Sequence, residues 1–174
     1  MEVIETVKQL LKTLSHSEAK EFVSISERLN LSAKDFEAYA TWSSKAYTRN
    51  CIGRDDHFEL LLLCWNPKQI TPIHCHNNEE CWVLNLQGEF EEVRYDEEIP
   101  DSGELMEISR EIMSEGGLSY MNDSMGFHSL ANLSSERAMS LHLYMNPIDQ
   151  CRIFDEEKKE LVWKSLSYDS AATL

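Results

Sequence analysis

Ile73-His74-Cys75-His76-Asn77-Asn78-Glu79-Glu80-Cys81, continuing as Trp82-Val83-Leu84-Asn85-Leu86-Gln87-Gly88, decides how the rest of the chain is read. On extended backbone, side chains alternate with period two, so the rings of His74 and His76 point to one face. Imidazole suits iron, copper, nickel and zinc. Cys81 follows the pair, and Gly88 stands one strand's length further on, where a hairpin would turn. The chain has six histidines, so two in one tripeptide is a concentration; surface coincidence is the plainer alternative. Far downstream, the turn-rich run Asn122-Asp123-Ser124-Met125-Gly126 delivers Phe127-His128 onto a strand that reaches Asn132. His128 alone reads as a structural histidine. Joined to the pair, it reads as a third ligand closing one face of an octahedron and leaving the other open.

Outward from this stretch, short apolar or alternating runs predict strands over 58–65, 81–86, 90–95, 105–112, 118–121, 128–133, 138–145 and 161–166. Asn66-Pro67, Gln87-Gly88, Pro100-Asp101-Ser102-Gly103, Gly116-Gly117 and Asn146-Pro147 supply the breaks. Upstream, Val3, Val7, Leu10, Leu11 and Leu14 recur at helical spacing. Ser17 is placed to cap a second helix reaching about Leu29. Ser32-Ala33-Lys34-Asp35 resembles a capping box opening a third helix through about Lys45. Helices first and strands after predict an α+β, mainly β fold: a sandwich or jelly-roll barrel with the helices on its outside. The length of 174 residues predicts a single domain over 1–174, with a helical lead-in over 1–46 and a barrel over 47–168.

Lys plus Arg number 16 against 31 Asp plus Glu, a formal charge of −15. That balance argues against nucleic acid, whose phosphates need a basic face, and against anionic lipid. Five cysteines, an odd number, read as thiols in a reducing compartment. The acidic N-terminus lacks a secretory pattern, and the longest apolar run, Leu60 to Trp65, is too short to span a bilayer. The expected address is cytoplasmic.

Two further features bear on chemistry. Ser140, His142 and Tyr144 share one face of a strand, and Leu141 and Leu143 the other. Either the polar stripe faces water over a leucine core, or it forms an interior network. Arg49, in Tyr47-Thr48-Arg49-Asn50, is either a solvated charge or a carboxylate clamp, its planar fork suiting bidentate recognition.

The spacing of His74, His76, Cys81 and Gly88, with Gly126, His128 and Asn132, resembles the two-part signature of the cupin superfamily, a small β-barrel with a metal inside. Cys81 stands where a cupin glutamate ligand is usual. With Tyr47-Thr48-Arg49-Asn50, Leu63-Cys64-Trp65, Leu86-Gln87-Gly88, Asn122 to His128, Ser140 to Tyr144, Cys151 and Phe154-Asp155, the chain resembles the type I cysteine dioxygenases over about residues 47 to 155. The resemblance implies a cupin-type barrel with iron(II) held by His74, His76 and His128. It implies oxidation of the L-cysteine thiol by dioxygen to cysteine sulfinic acid. Arg49 would pair with the substrate carboxylate beside Tyr47, and Tyr144 would sit over the substrate, oriented by His142 and Ser140. Cys81 would join Tyr144 in a thioether. A monomer is implied, with no nucleic-acid or membrane partner. Three positions depart from the family pattern. Met145-Asn146-Pro147 replaces Ser-Pro-Pro, so a cis-proline there would be lost or shifted; Glu80 replaces a histidine; Cys75 replaces an aspartate. The alternatives are a thiol dioxygenase for another mercapto acid such as 3-mercaptopropionate, a non-catalytic cupin that senses a metal or ligand, and a cupin in which Glu80 is an extra metal ligand.

Overall fold

The computed structural model describes residues 2–96, 98 and 103–172. Among the described residues two α-helices, α1 (Val7–Leu14) and α2 (Phe22–Ser26), precede eleven strands. These are β1 (Thr48–Arg54), β2 (Phe58–Trp65), β3 (Glu80–Gln87), β4 (Phe90–Tyr95), β5 (Glu107–Met113), β6 (Leu118–Met121), β7 (Phe127–Asn132), β8 (Ala138–Met145), β9 (Gln150–Asp155), β10 (Glu160–Ser165) and β11 (Ser170–Ala171). The fold is mainly β with a helical lead-in.

The ladders form a six-stranded sheet ordered β11-β1-β2-β8-β3-β6, a three-stranded sheet β5-β4-β7 and a hairpin β10-β9. They do not close continuously; isolated bridges at Ile70–Ala131, His74–His128 and His74–Ile153 stitch between them. The large sheet is buried on both faces, which is why all eight residues of β2 are buried. Phe58, Leu60, Leu62 and Cys64 pack outward with Val7, Leu10, Leu14, Phe22, Ile25 and Phe36 of the helical lead-in. Leu61, Leu63 and Trp65 pack inward against Phe90 of β4, Met113 of β5 and Leu130 of β7. The site lies on this inward side.

The helical expectations are partly corrected. Ser17 caps nothing downstream; its hydroxyl donates back to the Thr13 carbonyl, 2.8 Å away, at the end of α1. The second helix is a 3₁₀ turn (Ala19–Glu21) leading into α2, and it stops at Ser26. Asp35 accepts from the Ser32 backbone N–H at 2.8 Å, as a capping box requires, but the turns it opens are 3₁₀ and end at Tyr39. Tertiary bonds take over beyond: the Thr41 carbonyl accepts from Thr48, and the Ser43 carbonyl from Asn66 and Gln69. Strands β1, β9 and β11 were not in the predicted set. The expected turn at Pro100-Asp101-Ser102 lies outside the described residues, as do Thr173 and Leu174.

Candidate metal centre and its pocket

His74 and His76 do not sit on a strand. His74 forms a single-residue bridge to both β7 and β9, exchanging backbone hydrogen bonds with His128 at 2.9 and 3.0 Å. Asn77 and Asn78 then adopt positive φ (56° and 65°), which turns the chain sharply into β3. Asp123 fixes this turn, accepting from the backbone N–H groups of His76 (2.7 Å) and Asn78 (2.8 Å). His128 lies on β7, reached through Gly126 at φ 88°, a conformation that favours glycine.

The three histidines converge, with one ligand nitrogen from each lying within 4.8 Å of the others. His76 Nε2 and His128 Nε2 are 3.1 Å apart. Two nitrogens bound near a right angle at about 2.1 Å from one ion would be separated by roughly this distance. Two of the three far nitrogens are held so that the near ones face inward, while Nδ1 of His76 is buried without a partner among the described residues. His74 Nδ1 bonds the Pro72 carbonyl at 2.9 Å, and His128 Nδ1 bonds Glu92 Oε1 at 2.8 Å. Such partners fix the tautomer and orient a metal-binding imidazole. Burial, reinforced by His128, pulls His74 down to about 3 and His76 well below the usual histidine range. Neutral imidazole is the ligand form, so the donor set fits a divalent metal.

A pocket opens beside the histidines, walled by Tyr47, Arg49, His74, His128, His142 and Tyr144, with Leu63, Leu130, Ile148 and Cys151 as apolar backing. The Ser140–His142–Tyr144 stripe of β8 faces inward, while Leu141 and Leu143 face the helices. Tyr47 stacks on Trp65 at 4.6 Å between centroids. Trp65 Nε1 donates to Ser140 Oγ at 2.9 Å, and Ser140 Oγ meets His142 Nε2 at 2.9 Å. Burial also brings His142 down to about 3.

Arg49 comes from β1, where Arg49 pairs with Leu63 of β2. Its Nη1 donates to the Ser167 carbonyl at 3.1 Å, and its Nη2 is buried without a partner among the described residues. A buried unpaired donor is costly, so this nitrogen is poised to receive an anion. Cys81 and Tyr144 are directly opposite one another on β3 and β8, and both are buried. Burial pushes both the thiol and the phenol up, leaving each neutral. Glu80 points to the other face, accepting from the Tyr120 hydroxyl at 2.8 Å, and is absent from the metal cluster. The turn after Tyr144 is made by Asn146 at φ 74°, tied to Glu79 at 2.8 Å. Cys75 is buried, its backbone N–H donating to the Arg152 carbonyl.

Two parts of the arrangement were missed from sequence. Glu92, behind His128, also accepts from Ser119 (2.7 Å) and Arg94 (3.1 Å). Burial alone would raise its carboxyl, but the His128 bond and these partners hold it down to about 2. Of the segment 166–169, which embraces Arg49, only Leu166 falls within a predicted strand (161–166). A charged residue at an inward position of β4 was the available signal for Glu92; residues 166–169 carried none.

A family model described as cysteine dioxygenase type I matches residues 1–157. The human protein named cysteine dioxygenase type 1 is 34% identical over 139 residues, spanning 79% of this chain and 70% of that protein. The Danio rerio protein of the same name is 33% identical over 164 residues, covering 87% and 80%. Among solved structures, a Thermus thermophilus protein superposes with a TM-score of 0.52 at 18% identity, covering 67% of this chain and 98% of that one. A Klebsiella pneumoniae protein with a double-stranded β-helix domain gives 0.51 at 14% identity, covering 63% and 85%. These two likenesses bear on the fold, which is that of the cupins.

Proposed function

The chain belongs to the cysteine dioxygenase type I family, and from that premise we propose that it holds iron(II) on His74, His76 and His128 and adds both atoms of dioxygen to the sulfur of L-cysteine, giving cysteine sulfinic acid. The observation that carries the substrate assignment is the partnerless, buried Nη2 of Arg49 in a pocket shared with His74 and His128. Arg49 clamps the substrate carboxylate, with Tyr47 beside it. A site built on such polar contacts rejects thiols that lack them, because its buried groups are then left unpaired. Iron, when bound, supplies a centre where a thiolate and dioxygen react. Tyr144, kept protonated by burial, donates a hydrogen bond over the reacting sulfur. His142, held by Ser140 and uncharged, shapes the wall beside it. Cys81 Sγ and a ring carbon of Tyr144 join in a thioether, as their opposed register favours, the S–H and ring C–H bonds giving up two hydrogens and two electrons to dioxygen, the oxidant of the proposed reaction. The protein works as a single-domain monomer in the cytoplasm. Among the described residues no helix is long and apolar enough to cross a membrane, and all five cysteines are free thiols, as a reducing compartment would keep them.

The test is anaerobic reconstitution with iron(II), then oxygen uptake and sulfinate detection with L-cysteine and 3-mercaptopropionate. Sulfinate from L-cysteine is expected. Turnover of 3-mercaptopropionate alone would overturn the substrate assignment, and binding of iron and thiol without oxygen uptake would mark a sensor.

A further inference from the structure

Residues 166–172 run as a strap along the free edge of β1, pairing with it in parallel at Ser170 and Ala171, and three consecutive strap residues engage Arg49. Ser167 accepts from Nη1 at 3.1 Å. Asp169 accepts from the Arg49 backbone N–H at 2.8 Å and donates its own N–H to the Arg49 carbonyl at 2.8 Å. Between them, the Tyr168 ring lies 5.8 Å from the guanidinium carbon, within reach of a cation–π attraction. The Tyr168 hydroxyl is itself anchored twice: it donates to Glu59 Oε1 and accepts from Arg54 Nη1, 2.6 Å away. Glu59 is a fully buried carboxylate, in register with Tyr144 across β2 and β8. Its other oxygen faces the Ile148 N–H at 3.4 Å, and Arg54 reaches on to Asp149 at 2.8 Å. Burial and the bond to Glu59 push the Tyr168 phenol up to about 12, so it remains a donor.

We propose that Tyr168, fastened by Glu59 and Arg54, is a positioning residue that aims the Arg49 guanidinium at the substrate carboxylate. The inference rests on the reading of Arg49 as the carboxylate clamp. The logic is geometric: the Ser167 carbonyl occupies one arm of the fork, leaving Nη2 for the ligand, and that division holds only while the strap is fixed. Glu59 is fully buried, with Arg54 Nη1 3.7 Å from Oε1 as its remaining charged neighbour, so losing the hydroxyl removes the carboxylate's direct hydrogen bond to the strap and releases the strap.

The experiment measures anaerobic affinity of the iron(II)-loaded protein for L-cysteine and for cysteamine, which lacks the carboxylate, together with kcat and KM for L-cysteine. In Tyr168→Phe the cysteine-to-cysteamine affinity ratio is expected to fall about tenfold, the worth of one misplaced charge-assisted hydrogen bond, with KM rising and kcat little changed. Glu59→Ala should do the same from the other side of the bond, and serves should Tyr168→Phe fail to fold. Glu59→Gln keeps an acceptor for Tyr168 and should restore the ratio to within about twofold. An unchanged ratio in Tyr168→Phe, a parallel loss of both affinities, or equal losses in Glu59→Gln and Glu59→Ala would overturn the proposal. Arg49→Gln separates the two readings. If it leaves the ratio intact, the clamp itself is wrong; if it abolishes the ratio while Tyr168→Phe does not, only the positioning role fails.

Discussion

Replacing Glu92 by glutamine should loosen the metal while leaving the fold nearly intact. Glu92 Oε1 is 2.8 Å from His128 Nδ1, and the carboxylate is 4% exposed. Glutamine keeps the shape and an acceptor oxygen but removes the charge. A hydrogen bond to a charged group contributes about 1.5–3 kcal/mol against about 0.5–1.5 for a neutral one. The difference, about 1–1.5 kcal/mol, corresponds to roughly tenfold in affinity. That is the low end of the ten- to hundredfold range typical of groups supporting a metal-bound histidine. Glu92→Ala goes further, because Ser119 and Arg94 lose an acceptor too, and about 1–3 kcal/mol of folding stability should go with it. Anaerobic competition for cobalt(II) against a chromophoric chelator reads the affinity, and urea unfolding of the metal-free proteins reads the stability. Cobalt affinity within twofold of wild type in Glu92→Gln would refute the idea that this carboxylate strengthens His128 as a ligand.

Other outcomes follow from the same geometry. Intact mass after turnover and reduction should reveal a species about two mass units lighter than the unlinked chain; Cys81→Ser should abolish it, and persistence of the loss would exclude the Cys81–Tyr144 link. Metal-free protein should lose stability as pH falls below about 6.5, the ordinary histidine value. His74 and His142, held neutral to about 3, and His76, held by burial well below the usual histidine range, take up protons only on unfolding, so stability rises with pH through that window. Each contributes up to about 1.4 kcal/mol per pH unit; urea titrations at pH 7, 6 and 5.5 with no change in midpoint would contradict this. Gly88→Ala should cost about 1–3 kcal/mol, since φ is 91° there and an added Cβ would lie 2.7 Å from that of Ala138 and 2.8 Å from Ser134 Oγ; an unshifted thermal midpoint would count against it.

Sequence pattern located what local chemistry could express. The run Phe58–Trp65 reads as a strand because nearly every residue is apolar, its bounds match β2, and the fold buries it on both faces. The exception inside it, Glu59, was the legible sign of the buried network with Tyr168, and only the partner's distance in sequence concealed it. Strand β1 was overlooked because Thr48, Arg49 and Asn50 look like a polar turn. In the fold, Asn50 is fully buried and bonds Thr48, Leu62 and Thr41. The His74–His76 pair was found by a strand argument that does not hold, since the segment is one bridge followed by a left-handed turn. The rings still converge, because His74 is pinned to His128 and the His76 backbone to Asp123. Such pins are long-range, and no local pattern encodes them.

The stripe on β8 shows why the helical lead-in matters to a site it never touches. Ser140 and His142 are interior polar groups, and each must be hydrogen-bonded or cost about 1–3 kcal/mol. A strand carrying them inward offers little apolar surface on that side. Met139, Leu141 and Leu143 compensate on the other face, but only because α1, α2 and Phe36 cover it. Each such side chain gains about 1.5–3 kcal/mol by full burial. Without the cover, the leucines would compete for the interior, and turning the strand over would carry Ser140, His142 and Tyr144 out to solvent. The helices therefore set the register that points the chemistry inward, and the choice between a solvated and an interior stripe, open in the sequence, is decided by residues more than a hundred positions away.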